Sequence, residues 1–317
     1  MIGLHSLYVL AGAMFAAFAV LSALDGTHSK RFGNAAFWGL MALSLLGGDA
    51  IGDLGNGLLV LCLAGLAGFG FIGRSHPATT SDVERQAASQ LLGNRLFLPA
   101  LIIPVTALLG TLAYNYTPLG GTGLIETKRE TYVFLGLGVL LAIGVIFVWL
   151  RPPAFAPLQE GRRLIDAIGW AAVLPQMLAS LGVLFAAAGV GDAIGSLTRM
   201  VIPDGSVFLT VAVFGLGMAV FTMVMGNAFA AFPVMAAAIG VPLLIKQYGG
   251  DPAVVGAIGM LAGFCGTLMT PMAANFNLVP AALLELRDQY GVIRAQVTTA
   301  LPLLAINILL IYVLAFR

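Results

Sequence analysis

The sequence predicts an all-α polytopic membrane protein with about 9–11 transmembrane segments, including discontinuous or re-entrant helices in the C-terminal half. Hydrophobic residues make up 60% of the 317 positions and charged residues only 9%, against about a quarter in soluble domains. The apolar residues lie in continuous runs rather than in the alternating pattern of a β-barrel. The 40 glycines and 15 prolines fall largely within these runs, which favours broken and closely packed helices.

Most of these runs are long enough to cross a bilayer as a helix, which takes about 20 residues. They lie at about 4–24, 54–73, 96–114, 131–150, 167–190, 206–225, 228–245 and 295–316. A shorter run covers 34–47, and a last apolar stretch between Pro252 and Leu284 is interrupted.

A proline-rich segment near the middle of the chain divides it in composition. We predict an N-terminal transmembrane bundle at 1–150, a linker at 151–163, and a C-terminal transmembrane bundle with broken helices at 164–317. The pentapeptide Gly-Asp-Ala-Ile-Gly occurs at Gly48–Gly52 and again at Gly191–Gly195, a hint of duplicated halves.

The basic residues favour an external N-terminus, because cytoplasmic loops carry the excess of Lys and Arg. If the first span runs from outside to inside, only Lys128, Arg129 and Arg199 fall outside over the first six spans. The residues that then fall inside are Lys30, Arg31, Arg74, Arg85, Arg95, Arg151, Arg162 and Arg163. The side on which the C-terminus lies stays open.

The interruption in the last apolar stretch, Gly266 to Asn277, predicts a broken helix. Pro271 lacks an amide hydrogen, and the carbonyl groups it frees are tolerated at membrane depth only if protein, an ion or a ligand meets them. Polar side chains occur at the same place, namely Thr267, Thr270, Asn275 and Asn277. The alternative is a proline kink whose polar side chains only satisfy neighbouring helices.

A second interruption, Met225 to Pro233, predicts the tip of a helical hairpin at Gly226-Asn227; the alternative is an ordinary turn between two full spans. Two such breaks suit a binding site in which helix N-termini hold a carboxylate and freed carbonyl groups coordinate a cation. The predicted substrate-binding residues are Gly226, Asn227, Gly266, Thr267, Thr270, Asn275 and Asn277.

Acidic residues at the ends of spans are candidates for ion coupling, and we single out Asp49 and Asp192. Gly189-Val190-Gly191-Asp192 also matches the Gly-x-Gly-Asp pattern of intramembrane aspartyl proteases. That chemistry needs two carboxylates that share a proton, and the sequence offers no Tyr-Asp partner motif. We therefore set the protease hypothesis below the others.

The composition excludes a cytoplasmic enzyme, a nucleic-acid binder and a peripheral protein. The sequence contains no ATP-binding loop and no metal-binding spacing of His, Cys or acidic residues. We therefore expect no catalytic residues, metal or cofactor, and a transport process driven by a gradient of Na⁺ or H⁺.

The segments Met225–Pro233 and Gly263–Leu286 resemble one bacterial membrane-protein family, most distinctively in Thr270-Pro271-Met272-Ala273-Ala274-Asn275-Phe276-Asn277. This is the larger member of a pair of families, long classed as of unknown function, that are regarded as the two subunits of a 5-oxoproline (pyroglutamate) transporter. The breaks are also distantly similar to those of carboxylate symporters of the ion-transporter superfamily, although the Ser-Asn-Thr triplet of those proteins is missing here.

The resemblance implies a multi-pass protein of the bacterial inner membrane that works with a second, smaller membrane subunit. It implies import of 5-oxoproline, a small carboxylate whose lactam group matches the Asn and Thr side chains of the breaks. The alternative is a non-transporting scaffold that stabilises a partner permease.

Overall fold

The computed structural model describes residues 2–75, 81–126, 128–201 and 205–316. This part of the chain is helical and contains no β-strand, only a single bridge between Ile2 and Ile125. Seven of its helices are long and apolar enough to cross a membrane. The prediction of an all-α polytopic membrane protein is therefore confirmed. The chain forms two compact units, Met1–Asp166 and Ala167–Arg317.

The helices of the first unit follow the predicted apolar runs. The α-helices among its described residues are α1 (Leu4–Leu24), α2 (Arg31–Gly68), α3 (Asp82–Leu92), α4 (Phe97–Tyr116), α5 (Glu130–Leu150) and α6 (Ala156–Ile168). Short 3-10 helices lie at Gly93–Leu96 and Pro118–Thr122. α1 packs against α2, and α4 packs against α5.

α2 is a helical hairpin rather than one straight helix. Its 38 residues would extend about 57 Å if straight, yet Asn34 near its start meets Gly73 beyond its end. Asn34 Nδ2 donates to Gly73 O at 2.7 Å, and Gly73 N donates to Asn34 Oδ1 at 2.8 Å. The chain reverses at Gly52, whose φ of 71° is readily adopted by glycine. The predicted runs 34–47 and 54–73 are therefore the two arms of one hairpin.

The side chain of Asn56 stabilises this reversal. Its amide nitrogen donates to Gly48 O at 2.8 Å and to Gly52 O at 3.0 Å. These bonds satisfy carbonyl groups at a place where the helix is interrupted. Asp49 and Asp53 lie at the same tip and are exposed.

The two ends of the first unit are separated by α1, which is about 31 Å long. At one end, Ile2 N donates to Leu124 O at 2.7 Å. At the other end, Arg162 Nη1 donates to Leu21 O at 2.8 Å, and Arg162 Nη2 pairs with Asp25 at 2.9 Å. The external N-terminus stays a prediction. It requires the two ends of α1 to lie on opposite sides of the membrane, and these contacts place them at opposite ends of the first unit.

α6 occupies most of the segment predicted as a linker, since it begins at Ala156. It is amphipathic, and its packed face carries Arg162 and Asp166, which are 3% and 4% exposed. The division into two transmembrane bundles joined by a linker stays a prediction.

The second unit begins with a 3-10 helix at Gly169–Ala172. Its α-helices in the described residues are α7 (Leu174–Ala187), α8 (Val190–Val201), α9 (Val207–Met225), α10 (Ala228–Met235), α11 (Pro252–Thr267), α12 (Leu278–Leu283) and α13 (Gly291–Ala315). A π-helical segment, Ala236–Gln247, continues α10. The predicted run 167–190 is not a single helix, because Gly169 and Gly189 take φ values of 55° and 69° and interrupt it.

α9, α10 with its π-helical continuation, α11 and α13 build the core of the second unit. α9 and α11 are parallel, because Gly259 meets Phe214 while Gly266, two turns later, meets Ala219. The largest fully buried apolar side chains of this core are Val211, Phe214, Met218, Met235, Ile239, Leu244 and Ile311. The parallel arrangement brings the C-terminal ends of α9 and α11 to the same side of the unit.

α11 is the first part of a discontinuous crossing. Its 16 residues extend about 24 Å, less than the roughly 30 Å of a hydrocarbon core. α13 is antiparallel to it, since Asp251 N donates to Ala315 O at 2.8 Å while Asn307 Nδ2 lies 3.6 Å from Cys265 Sγ. The irregular chain after Thr267, together with α12, therefore completes the crossing that α11 begins.

Candidate functional site

A pocket of about 210 Å³ lies where the α9–α10 turn meets the irregular chain after α11. We call it the hairpin pocket. It is smaller than the roughly 300 Å³ and more of pockets that hold drug-sized ligands, and therefore suits a small metabolite. Its lining residues are Leu174, Gly226, Asn227, Ala228, Phe229, Phe264, Thr267, Met272, Ala273, Ala274, Asn275 and Phe276.

The α9–α10 turn forms one wall of the hairpin pocket. α9 ends at Met225 and is followed by Gly226, whose φ of 69° is left-handed. Asn227 then caps the next helix. Asn227 Oδ1 accepts a hydrogen bond from Phe229 N at 2.9 Å, which satisfies one of the free amides of the first turn of α10. The Asn227 side-chain nitrogen remains as a donor.

The break after α11 forms the opposite wall, and close backbone packing holds it against α9. A Cβ on Gly266 would lie 2.2 Å from Ala219 O, so only glycine fits between the two helices at this point. Thr270 Oγ1 donates to Met223 O at 2.9 Å. Thr267 Oγ1 donates to Phe264 O at 2.6 Å within α11.

Asn277 stabilises the break on the side away from the hairpin pocket. Its side-chain nitrogen donates to Thr267 O at 2.8 Å and to Thr270 O at 2.6 Å, and the residue is fully buried. Two carbonyl groups of the irregular segment are thus satisfied by a single amide. This part of the break matches the alternative in which polar side chains serve the fold.

The structure separates the predicted binding residues into two groups. Gly226, Asn227, Thr267 and Asn275 line the hairpin pocket. Gly266, Thr270 and Asn277 lie behind it and fix the backbone.

Asn275 is the most accessible polar group of the hairpin pocket. Its side chain is exposed, and no hydrogen bond to it occurs within the described residues. It carries two donors and one acceptor, so it can bind a carboxylate or an amide of a ligand.

Aromatic side chains supply much of the remaining lining, and the sequence analysis did not identify them. Phe229 and Phe264 pack edge to face with ring centroids 5.6 Å apart, and Phe276 is half exposed at 50%. The only sequence signal for them is their position beside the two breaks. Aromatic lining of this kind favours a ligand that has an apolar part.

The electrostatics of the hairpin pocket come from helix ends, since none of its described lining residues is charged. The first turn of α10 presents the positive end of a helix dipole, while α9 and α11 terminate nearby with their negative ends. Such a site can hold one small anion beside a cation without Lys or Arg.

Two buried oxygens behind the pocket lack a hydrogen-bond partner within the described part of the chain, namely Thr222 Oγ1 and Asn277 Oδ1. Both residues are fully buried. They lie near the C-terminal ends of α9 and α11. Neutral oxygen ligands of this kind suit a hard cation such as Na⁺. Thr222 was not predicted, because it lies inside an unbroken apolar run.

The acidic residues singled out from the sequence do not line the hairpin pocket. Asp49 is exposed at the α2 tip in the first unit. Asp192 borders another cavity of the second unit, beside Gly195, Ser196 and Pro242. The described residues around that cavity include no second carboxylate, so the geometry gives no support to an aspartyl protease.

A protein-family model described as "Protein of unknown function (DUF979)" matches residues 5–316, nearly the whole chain. No curated protein and no solved structure matches the chain.

Proposed function

We propose a transport function for this chain from the premise that it belongs to the DUF979 family of proteins of unknown function. The chain is a multi-pass membrane protein, and we propose that it is the substrate-binding subunit of a secondary transporter for a small carboxylate. The observation that carries this proposal is the meeting of two helix breaks at one pocket, whose described lining residues carry no charge. Within the described residues, the Asn275 side chain at this pocket has no hydrogen bond.

The substrate we propose is 5-oxoproline. Its carboxylate would meet the first turn of α10, its lactam group would meet Asn275 and Asn227, and its ring would contact Phe229 and Phe264. The volume of the hairpin pocket supports a ligand of this size.

The proposal also covers the location, the partner subunit and the energy source of the transporter. We propose a bacterial inner-membrane location, a second, smaller membrane subunit as partner, and a gradient of Na⁺ or H⁺ as the energy source. Thr222 Oγ1 and Asn277 Oδ1 have no hydrogen-bond partner in the described part of the chain, which supports a cation close to the substrate.

Replacement of Asn275 by Ala is expected to reduce uptake of labelled 5-oxoproline by about two- to tenfold. A hydrogen bond between neutral groups, such as Asn275 and the lactam, contributes about 0.5–1.5 kcal/mol, and about 1.4 kcal/mol corresponds to a factor of ten. Uptake is measured in vesicles that contain this chain and the smaller subunit under imposed Na⁺ and proton gradients. The melting temperature should not change, because the Asn275 side chain is exposed.

Asn94→Ala is the matched control, since Asn94 is also an exposed asparagine but lies in the first unit. Full uptake by Asn275→Ala would remove Asn275 from the binding site. Binding of 5-oxoproline by the purified chain alone distinguishes a transporter subunit from a scaffold, because a scaffold leaves all binding to its partner.

A further inference from the structure

A buried polar cluster lies at the end of the first unit where α6 packs on α1 and α2. Its centre is the carboxylate of Asp166, which is only 4% exposed. Trp38 Nε1 donates to Asp166 Oδ1 at 2.6 Å, and Ser75 Oγ donates to Asp166 Oδ2. The three residues come from α6, the first arm of α2, and the chain that follows α2.

Both partners of the Asp166 carboxylate are neutral. In the described part of the chain, no Lys, Arg or His forms an ion pair with it. Arg162, one helical turn earlier, acts on Asp166 only through its charge, because its guanidinium pairs with Asp25 at 2.9 Å. A buried carboxylate without a paired cation carries a large desolvation cost.

Four other titratable groups lie around the cluster, and two of them, Asp25 and Lys30, have their own hydrogen-bond partners. Thr27 lowers the pKa of Asp25 through a hydroxyl bond of 2.6 Å, and Arg162 lowers it further, so Asp25 stays ionised. Lys30 Nζ donates to Ile72 O at 3.4 Å. His28 lies close to Gly73, and its Nε2 is buried with no hydrogen-bond partner among the described residues. Arg74, beside Ser75, is exposed.

We infer that Asp166 is a reversible proton-binding site, in which Ser75 and Trp38 hold the group in both its ionised and its protonated form. The ionised form accepts hydrogen bonds from both side chains. After one proton is taken up at Oδ2, the new O–H donates to Ser75 Oγ, because a serine hydroxyl can exchange donor and acceptor roles. Trp38, which can only donate, still bonds Oδ1.

Burial is consistent with proton uptake at this position. Desolvation raises the pKa of Asp166 above its ordinary value of 3.8. Hydrogen bonds from Ser75, Trp38 and Asn34 and the charge of Arg162 oppose this shift without cancelling it. The folded protein therefore binds this proton more tightly than the unfolded chain. The contribution of Asp166 to the free energy of unfolding is greatest below the ordinary pKa and is lost as the pH rises through the raised one.

The site also holds the position of α6. Asp166 is the last residue of the first unit, and its bonds join α6 to the start of α2 and to the chain that follows α2. Ionisation places an uncompensated charge in this packed contact, so the docking of α6 weakens as the proton leaves. The inference goes beyond the proposed transport function and does not depend on it.

Trp38 supplies the measurement, because its indole bonds the titrating group. The chain has three tryptophans, so Trp149→Phe and Trp170→Phe leave Trp38 as the sole emitter. We expect its fluorescence to titrate in a single step with a midpoint above the ordinary pKa of aspartate. Asp166→Asn in this background should abolish the step, while Asp49→Asn, the control at an exposed aspartate, should leave it unchanged.

Ser75→Ala gives a second test that does not require Asp166→Asn to fold. Loss of the Ser75 bond removes an interaction that favours the ionised form, so the midpoint should move to higher pH. Three results would overturn the inference. The fluorescence step could be absent from the parent protein, it could persist in Asp166→Asn, or its midpoint could stay unchanged in Ser75→Ala. Neither measurement uses uptake, so an incorrect transport proposal would not affect the result.

Discussion

Gly266→Ala is expected to yield little folded protein. The added methyl group would lie 2.2 Å from Ala219 O and 2.9 Å from the Ala219 carbonyl carbon and Cα. These are backbone atoms of a helix, so they can move away only if α9 and α11 separate along their packed length. Overpacking a core usually costs about 1–3 kcal/mol even where side chains can adjust, and here the α9–α11 core itself must open.

Gly256→Ala is the matched control for this prediction, because Gly256 lies in the same helix. A methyl group there would lie 3.8 Å from Phe232 Cζ, an ordinary contact. The greater helix propensity of alanine should leave the variant as stable as the parent or up to about 1 kcal/mol more stable. Size-exclusion profiles and thermal unfolding in detergent compare the two variants. Equal stability of both would contradict the close packing of α9 and α11.

Arg162→Met is expected to lower the free energy of unfolding by about 3–5 kcal/mol, because removal of one member of a buried ion pair leaves an uncompensated charge. The side chains of Arg162 and Asp25 are 3% and 10% exposed. The substitution also leaves Leu21 O without the donor that Arg162 provides at 2.8 Å. Denaturant titration of the purified protein measures the change.

An exposed ion pair provides the comparison for Arg162. Arg294 pairs with Asp288 at 3.0 Å, but their side chains are 76% and 42% exposed. Exposed pairs contribute at most about 1 kcal/mol, so Arg294→Met should have a small effect. The free energy of unfolding should fall further in Arg162→Met than in Arg294→Met. An equal or smaller fall in Arg162→Met would refute the role of the buried pair in anchoring α6.

Most spans could be predicted from the sequence because a membrane helix needs a long apolar run. α1 begins and ends at the predicted residues, and α9 begins one residue later than predicted. The exception is the run at 167–190, in which hydropathy is high but two glycines interrupt the helix. Hydropathy reports burial in lipid and does not distinguish one helix from two shorter ones.

The position of the candidate site was predicted more fully than the roles within it. Polar residues in an apolar stretch identify the breaks, and their meeting at the hairpin pocket follows from the packing of α9 and α11. The sequence could not separate Asn275, which is exposed at the pocket, from Asn277, which is buried behind it. That difference depends on which way each side chain faces in an irregular segment.

The Asp166 cluster shows a different limit of sequence analysis. Trp38 and Asp166 are 128 positions apart, and Ser75 and Asp166 are 91 apart. No local pattern connects them. Only the packing of α6 on the α2 hairpin brings a tryptophan, a serine and an aspartate into contact.

The hairpin form of α2 determines how this part of the chain must enter the membrane during synthesis. Both ends of α2 lie on one side. With the predicted external N-terminus, the tip of α2, with Asp49 and Asp53, has to be translocated. Each aspartate costs about 2.5–3.5 kcal/mol at the centre of an inserting helix. The first arm alone would retain free carbonyl groups at Gly48 and Gly52 until Asn56 arrives. We therefore expect the two arms to leave the translocon as one unit, and a ribosome stalled before Asn56 to hold this segment uninserted.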